Sequence, residues 1–136
     1  MKEGSSMTQG IDKEAELLLA KAAEDEAVLV ARIPDGPFGF HVQQAVEKLL
    51  KALLCQVGVK YRRTHDLEYL TQLLHDHGEV VAKAPVEIAQ IESFGVAYRY
   101  GALPETDVLD RQAAIETVRL IREHVIARIA ALSATP

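Results

Sequence analysis

An all-α fold, an antiparallel up-and-down bundle of four to five helices, is what the sequence predicts, on three observations. Apolar residues recur at helical steps of three and four in several stretches, and none shows the two-residue alternation of a half-buried strand. Each stretch is bounded by a capping residue, a proline or a glycine. The connections between them are short, as expected of helices that fold back on one another within one domain. That domain is read as residues 11–136. Residues 1–10, MKEGSSMTQG, are polar and Ser/Gly-rich. They read as a disordered or non-native tail, with Met7 as a candidate natural start.

The first helix is expected over Asp12 to Ile33. Asp12 suits the N-cap, Glu14 and Glu16 suit the first turn, and Leu18, Leu19, Ala22, Leu29, Val30 and Ile33 form the apolar side. PDGP, Pro34 to Pro37, is expected to stop it. The second helix carries FHVQQAVEKLLKALL, Phe40 to Leu54, and ends near Gly58 as a left-handed cap. Thr64 is expected to cap the third helix, on which Leu67, Leu70, Leu73 and Leu74 recur, and Gly78 to close it. The fourth is expected to begin at Pro85, with Ile88, Ile91, Gly95 and Tyr98 inward. Asp107 is expected to cap the fifth, whose stripe is Ile115, Val118, Ile121, Val125 and Ile129.

The chain has 136 residues, 49% of them apolar, so it can bury a sizeable aliphatic core, with no Trp and 5% aromatics. A net charge of −5 argues against a protein that coats nucleic acid. No apolar run reaches the length of a membrane span, and no charged segment followed by an apolar one opens the chain. Neither a membrane nor a signal peptide is expected. Cys55, the single cysteine, has no partner within the chain for a disulfide, which fits a reducing, cytoplasmic setting.

Charge is unevenly placed. Asp12 to Asp35 holds seven acids against three bases, a balance of −4, whereas His41 to His65 holds five bases against Glu47 alone, +4. The second helix concentrates the oddity. Val42, Ala45, Val46, Leu49, Leu50 and Leu53 make a wide apolar face, yet His41, Gln44, Lys48 and Lys51 run as a polar row along the same helix. With Arg62, Arg63 and His65 just downstream, such residues suit a phosphate-bearing ligand. A solvated face, or a basic surface docked on the acidic first helix, would produce the same pattern.

Other chemistry is thinly represented. The five histidines do not take up metal-ligand spacing, so no metal and no cofactor are expected. No phosphate-cradling glycine loop and no nucleophile elbow occur. Arg119 and His124 form an Arg-x(4)-His pair, the residue types of metal-free RNA cleavage, in which His moves a proton and Arg holds phosphate charge. On an unbroken helix the two lie about 140° apart around the axis, and nothing between them breaks a helix.

FHVQQAVEKLLKALL, RTHDLEYL and AYRYGALP, in this order and spacing, resemble the HEPN domain (higher eukaryotes and prokaryotes nucleotide-binding). The resemblance covers nearly the whole chain after the tail, although the first helix matches only in being amphipathic. It implies a helical bundle that forms a homodimer, is often encoded beside a minimal nucleotidyltransferase partner, and is linked to nucleotide binding. Gln44, Lys48, Lys51, His65, Arg99 and Tyr100 match its polar positions. One branch consists of ribonuclease toxins of toxin–antitoxin pairs that use an Arg-x(4–6)-His motif. Two departures stand out. Leu120 follows Arg119 where that branch has a polar residue, and Gly101 follows Arg99-Tyr100 where the family has Pro.

The expectation is a dimeric binding module for a nucleotide or RNA, or one that docks a nucleotidyltransferase, with His41, Gln44, Lys48, Lys51, Arg62, Arg63, His65, Arg99 and Tyr100 as its phosphate-binding set. A metal-independent ribonuclease using Arg119 and His124, and a non-catalytic dimeric scaffold, are the alternatives.

Overall fold

The computed structural model describes residues 10–81, 83–100 and 110–134, and the side chains of all of these except 96–100. Five helices make up the described chain: α1 (Lys13–Val28), α2 (Asp35–Val57), α3 (Leu67–Asp76), α4 (Ile88–Tyr100) and α5 (Arg111–Ser133). No strand occurs among the described residues.

The helix ends follow from local chemistry. Asp12, Asp66 and Asp110 are N-caps, and each carboxylate accepts a hydrogen bond from the backbone N–H three residues on, satisfying a donor that the first turn leaves without a partner. Gly58 ends α2 at a φ of 88°, a left-handed conformation in which a side chain would be strained. Gly78 does the same beyond α3 at 84°.

Several expected boundaries move. α1 stops at Val28, short of Ile33, and PDGP does not terminate it. Pro34 is instead the N-cap of α2, and Asp35, Gly36 and Pro37 form that helix's first turn. Pro37 is tolerated there because first-turn N–H groups have no acceptor within the helix, so a missing one leaves nothing unsatisfied. Asp66 caps α3 in place of Thr64, whose hydroxyl accepts from the Asp66 N–H at 2.9 Å. α4 begins at Ile88, three residues after Pro85. Asp110 caps α5, while Asp107 lies outside the described residues.

α2 is the axis of the bundle and packs against α1, α3, α4 and α5. That explains its breadth of apolar residues: Phe38, Val42, Ala45, Val46, Leu49, Leu50, Ala52, Leu53 and Leu54 are all buried. α1 and α5 run antiparallel. The Gly10 N–H donates to the Ser133 carbonyl at one end, Arg122 meets Glu26 midway, and Arg111 reaches the Ile33 carbonyl at the other. α5 presents Val118, Ile121, Val125 and Ile129 to the core, as its spacing predicts. α2 and α4 approach closely at two glycines. A Cβ on Gly39 would lie 2.9 Å from the Phe94 Cβ, and one on Gly95 would lie 2.8 Å from the Gln43 Cγ.

Candidate functional site

The polar row of α2 is placed by the helix that also builds the core. Its members sit on the flanks of the apolar face, where α2 meets α1 on one side and the segment before α3 on the other. Two buried carboxylates lie at these junctions. Asp25, on α1, accepts from Lys48 at 2.5 Å and lies 2.8 Å from His41 Nδ1. Glu47, on α2 itself, is 4% exposed and gathers four side chains. Its Oε1 accepts from Gln43 Nε2 at 3.0 Å and Gln44 Nε2 at 3.3 Å, and lies 2.9 Å from His65 Nδ1. Its Oε2 accepts from Lys51 at 2.8 Å.

An isolated carboxylate in such a place would be costly. Burial pushes the Glu47 pKa up, but the hydrogen bonds from Lys51, His65 and Gln43, together with the Lys51 charge, outweigh it and hold the group below its ordinary value. Glu47 therefore stays ionised and acts only as an acceptor.

Gln43 completes the junction. It is 1% exposed, and its Nε2 also donates to the His65 carbonyl at 3.3 Å, while its Oε1 accepts from Gln44 at 2.7 Å. The segment between α2 and α3 is thus pinned to α2 through both the side chain and the backbone of His65. Gly95 makes room for Gln43 against α4. The sequence shows Glu47 only as the single acid of a basic segment, and it marks out neither Asp25 nor Gln43. Asp25 lies nine residues beyond α1's first turn with nothing local to set it apart from Glu24 and Glu26. Only the packing of α1 on α2 singles it out.

The cations beyond this junction are more open. The Arg62 side chain is 61% exposed, stacks 3.9 Å from the centroid of the Tyr69 ring, and stands 3.7 Å from Asp66. The Arg62 backbone N–H donates to the Tyr69 hydroxyl at 3.2 Å. Arg63 is exposed, and so is Lys60. The His65 side chain is 60% exposed. Lys51 also lies 5.7 Å from the Tyr61 ring centroid. Burial first, and then the Cys55 thiol 3.9 Å away, raise the Tyr61 hydroxyl well above its ordinary pKa, so it stays neutral.

The expected set therefore divides. Lys51, His65, Gln44, Arg62 and Arg63 gather around the start of α3. His41 and Lys48 face Asp25 at the α1 junction instead. Arg99 and Tyr100 belong to the last turn of α4, and their side chains lie outside those described.

Arg119 and His124 do not meet. α5 runs unbroken through both, and Arg119 is held by Glu116 at 2.5 Å and Glu123 at 2.7 Å along its own helix. Those carboxylates raise the Arg119 pKa further and offset its charge. The His124 Nε2 is buried without a hydrogen-bond partner, on the side of α5 where Arg128 grips Glu79 through two bonds of 2.8 Å. Among the described residues no group of three or more His, Cys, Asp or Glu could hold a metal ion, and no helix is long and apolar enough to cross a membrane.

The HEPN domain family model matches residues 37–129, from the first turn of α2 to the last turns of α5. This chain belongs to the HEPN domain family. The match leaves out α1, so the carboxylate that meets His41 and Lys48 comes from outside the shared HEPN segment. Glu47, His65 and the exposed arginines all fall within it. No curated protein and no solved structure matches the chain.

Proposed function

We propose that this HEPN domain is a homodimeric binding module for phosphate-bearing ligands, a nucleotide or RNA, and that it works beside a nucleotidyltransferase partner. The observation that carries the reading is the run of exposed cations Arg62, Arg63 and His65, of which His65 is held by a fully partnered buried carboxylate. A cation that is already neutralised has little to offer a polyanion, which discounts His41 and Lys48. Arg62 keeps only a 3.7 Å approach to Asp66 and sits over the Tyr69 ring with 61% of its side chain exposed, which leaves it open to a phosphate. The arrangement does little for stability, since exposed charges contribute about 0–1 kcal/mol each. Its use is in recognition.

The ribonuclease reading is less well supported, because Arg119 is occupied by two glutamates and lies about 140° from His124 around an unbroken helix.

Titration with ATP in low salt, followed calorimetrically, tests the proposal. The Arg62→Ala/Arg63→Ala double variant is expected to lose roughly tenfold or more in affinity, given the strength of charge-assisted phosphate contacts. Equal affinity for the two proteins would remove the cluster from the site.

A further inference from the structure

His65 is fixed in a way that bears on how the cluster takes up an anion. Its Nδ1 points at Glu47 Oε1, 2.9 Å away, and the Gln43 amide bonded to its carbonyl prevents the segment from sliding. Glu47 is ionised and can only accept, so Nδ1 must carry the proton of that hydrogen bond. The other nitrogen, Nε2, makes no hydrogen bond among the described residues, on a side chain that is 60% exposed. In the neutral ring Nε2 is therefore a bare lone pair, which repels an anion. In the imidazolium it is an N–H donor directed outward beside Arg62 and Arg63.

We propose that Glu47 is a positioning residue that makes anion capture by His65 dependent on a proton, so that the module binds phosphate groups in its protonated form and releases them as pH rises. This inference rests on the phosphate-binding reading above and adds its regulation. The charged groups around the ring are consistent with it. On α2, Glu47 is matched by Lys51. In the segment before α3, Asp66 is engaged as the helix cap and lies near Arg62. Glu68, at the start of α3, is exposed, and α4 contributes Glu92, which accepts from the Glu68 backbone N–H at 3.2 Å. Among the described residues no neighbouring side chain supplies Nε2 with a donor or acceptor that would remove its choice.

The linkage has a definite sign. One proton taken up with the ligand makes affinity level on the acidic side of the imidazole titration and lowers it by up to about tenfold per pH unit on the basic side. Fluorescently labelled hexauridylate is the probe, because its phosphodiesters and uracils do not change charge over roughly pH 5.5 to 8, where imidazoles do. Affinity measured across that span at fixed low salt is expected to fall for the wild type and to be flat for His65→Gln. Glu47→Gln is expected to be flat as well, because its amide can donate to Nδ1 and so permits the neutral tautomer with a proton on Nε2. His75→Gln, altered at an exposed position at the end of α3, is expected to keep the wild-type slope. A flat wild-type profile, or a slope that survives in His65→Gln, overturns the inference while leaving the phosphate site standing. No binding at any pH overturns the phosphate reading itself, and this inference with it.

Discussion

The Lys51 side chain is 14% exposed and the Glu47 side chain 5%, so the pair between them behaves as a buried ion pair although the two residues are only one turn apart on α2. Removing one partner of such a pair strands the other charge. Glu47→Ala is accordingly expected to cost about 3 kcal/mol, read as a lower urea midpoint; an unchanged midpoint would mean that Lys51 simply swings into water. Acid has a related effect through a different glutamate. Hydrogen bonds from Arg128, against a smaller burial penalty, hold the Glu79 carboxyl below its ordinary value of 4.5. A depressed folded value stabilises the protein fully above that ordinary value, and the contribution is lost as pH falls through the folded one. Glu79→Gln is expected to be about 1–2 kcal/mol less stable than wild type at neutral pH, with the gap closing below pH 4.5. A gap that stays constant with pH would show that the Arg128 contact works by packing and not by charge.

At the scale of elements, α2 and α4 cross where Gly95 faces Gln43. In an open helix, Gly→Ala gains about 1 kcal/mol. Here the new methyl would sit 2.8 Å from a buried side chain that has three hydrogen bonds to keep, and overpacking of that kind costs about 1–3 kcal/mol. Gly95→Ala is therefore expected to lower the thermal midpoint; a rise would mean that Gln43 has room to move. The helices themselves were legible in the sequence because each carries its own apolar period, and α5 shows this most clearly, with Val118, Ile121, Val125 and Ile129 all buried as spaced. The ends were less legible where two signals competed. Pro34 and Pro37 read equally well as the stop of one helix and the start of the next, and the choice falls to tertiary packing. Thr64 and Asp66 compete in the same way, and the stronger acceptor caps α3. The polar row of α2 was visible as a line of residues, but not the carboxylates that answer it, because Asp25 comes from a helix whose pairing no local pattern announces.

For the whole molecule, the central place of α2 leaves α5 as the better candidate for a two-fold contact, since α2 is covered on its sides by all four other helices. The outer side of α5 exposes Ile126 at 46%, with Ala127 and Ala130 beside it. A dimer is expected at micromolar concentration in sedimentation, and Ile126→Glu is expected to shift it to monomer; a monomeric wild type would contradict this. The electrostatic division between an acidic α1 and a basic segment before α3 bears on the central claim, that the open cations around His65 hold phosphate. Each phosphate contact on a single strand releases counterions, and the logarithm of affinity falls with the logarithm of salt by about 0.7 per contact. The most direct measurement is the salt dependence of hexauridylate binding at a fixed acidic pH for wild type and for Arg62→Ala/Arg63→Ala. The expected result is a steep wild-type slope that becomes shallower by about 1.4 in the double variant, two contacts' worth. Parallel slopes, or no binding by the wild type even at the lowest salt, would contradict the account.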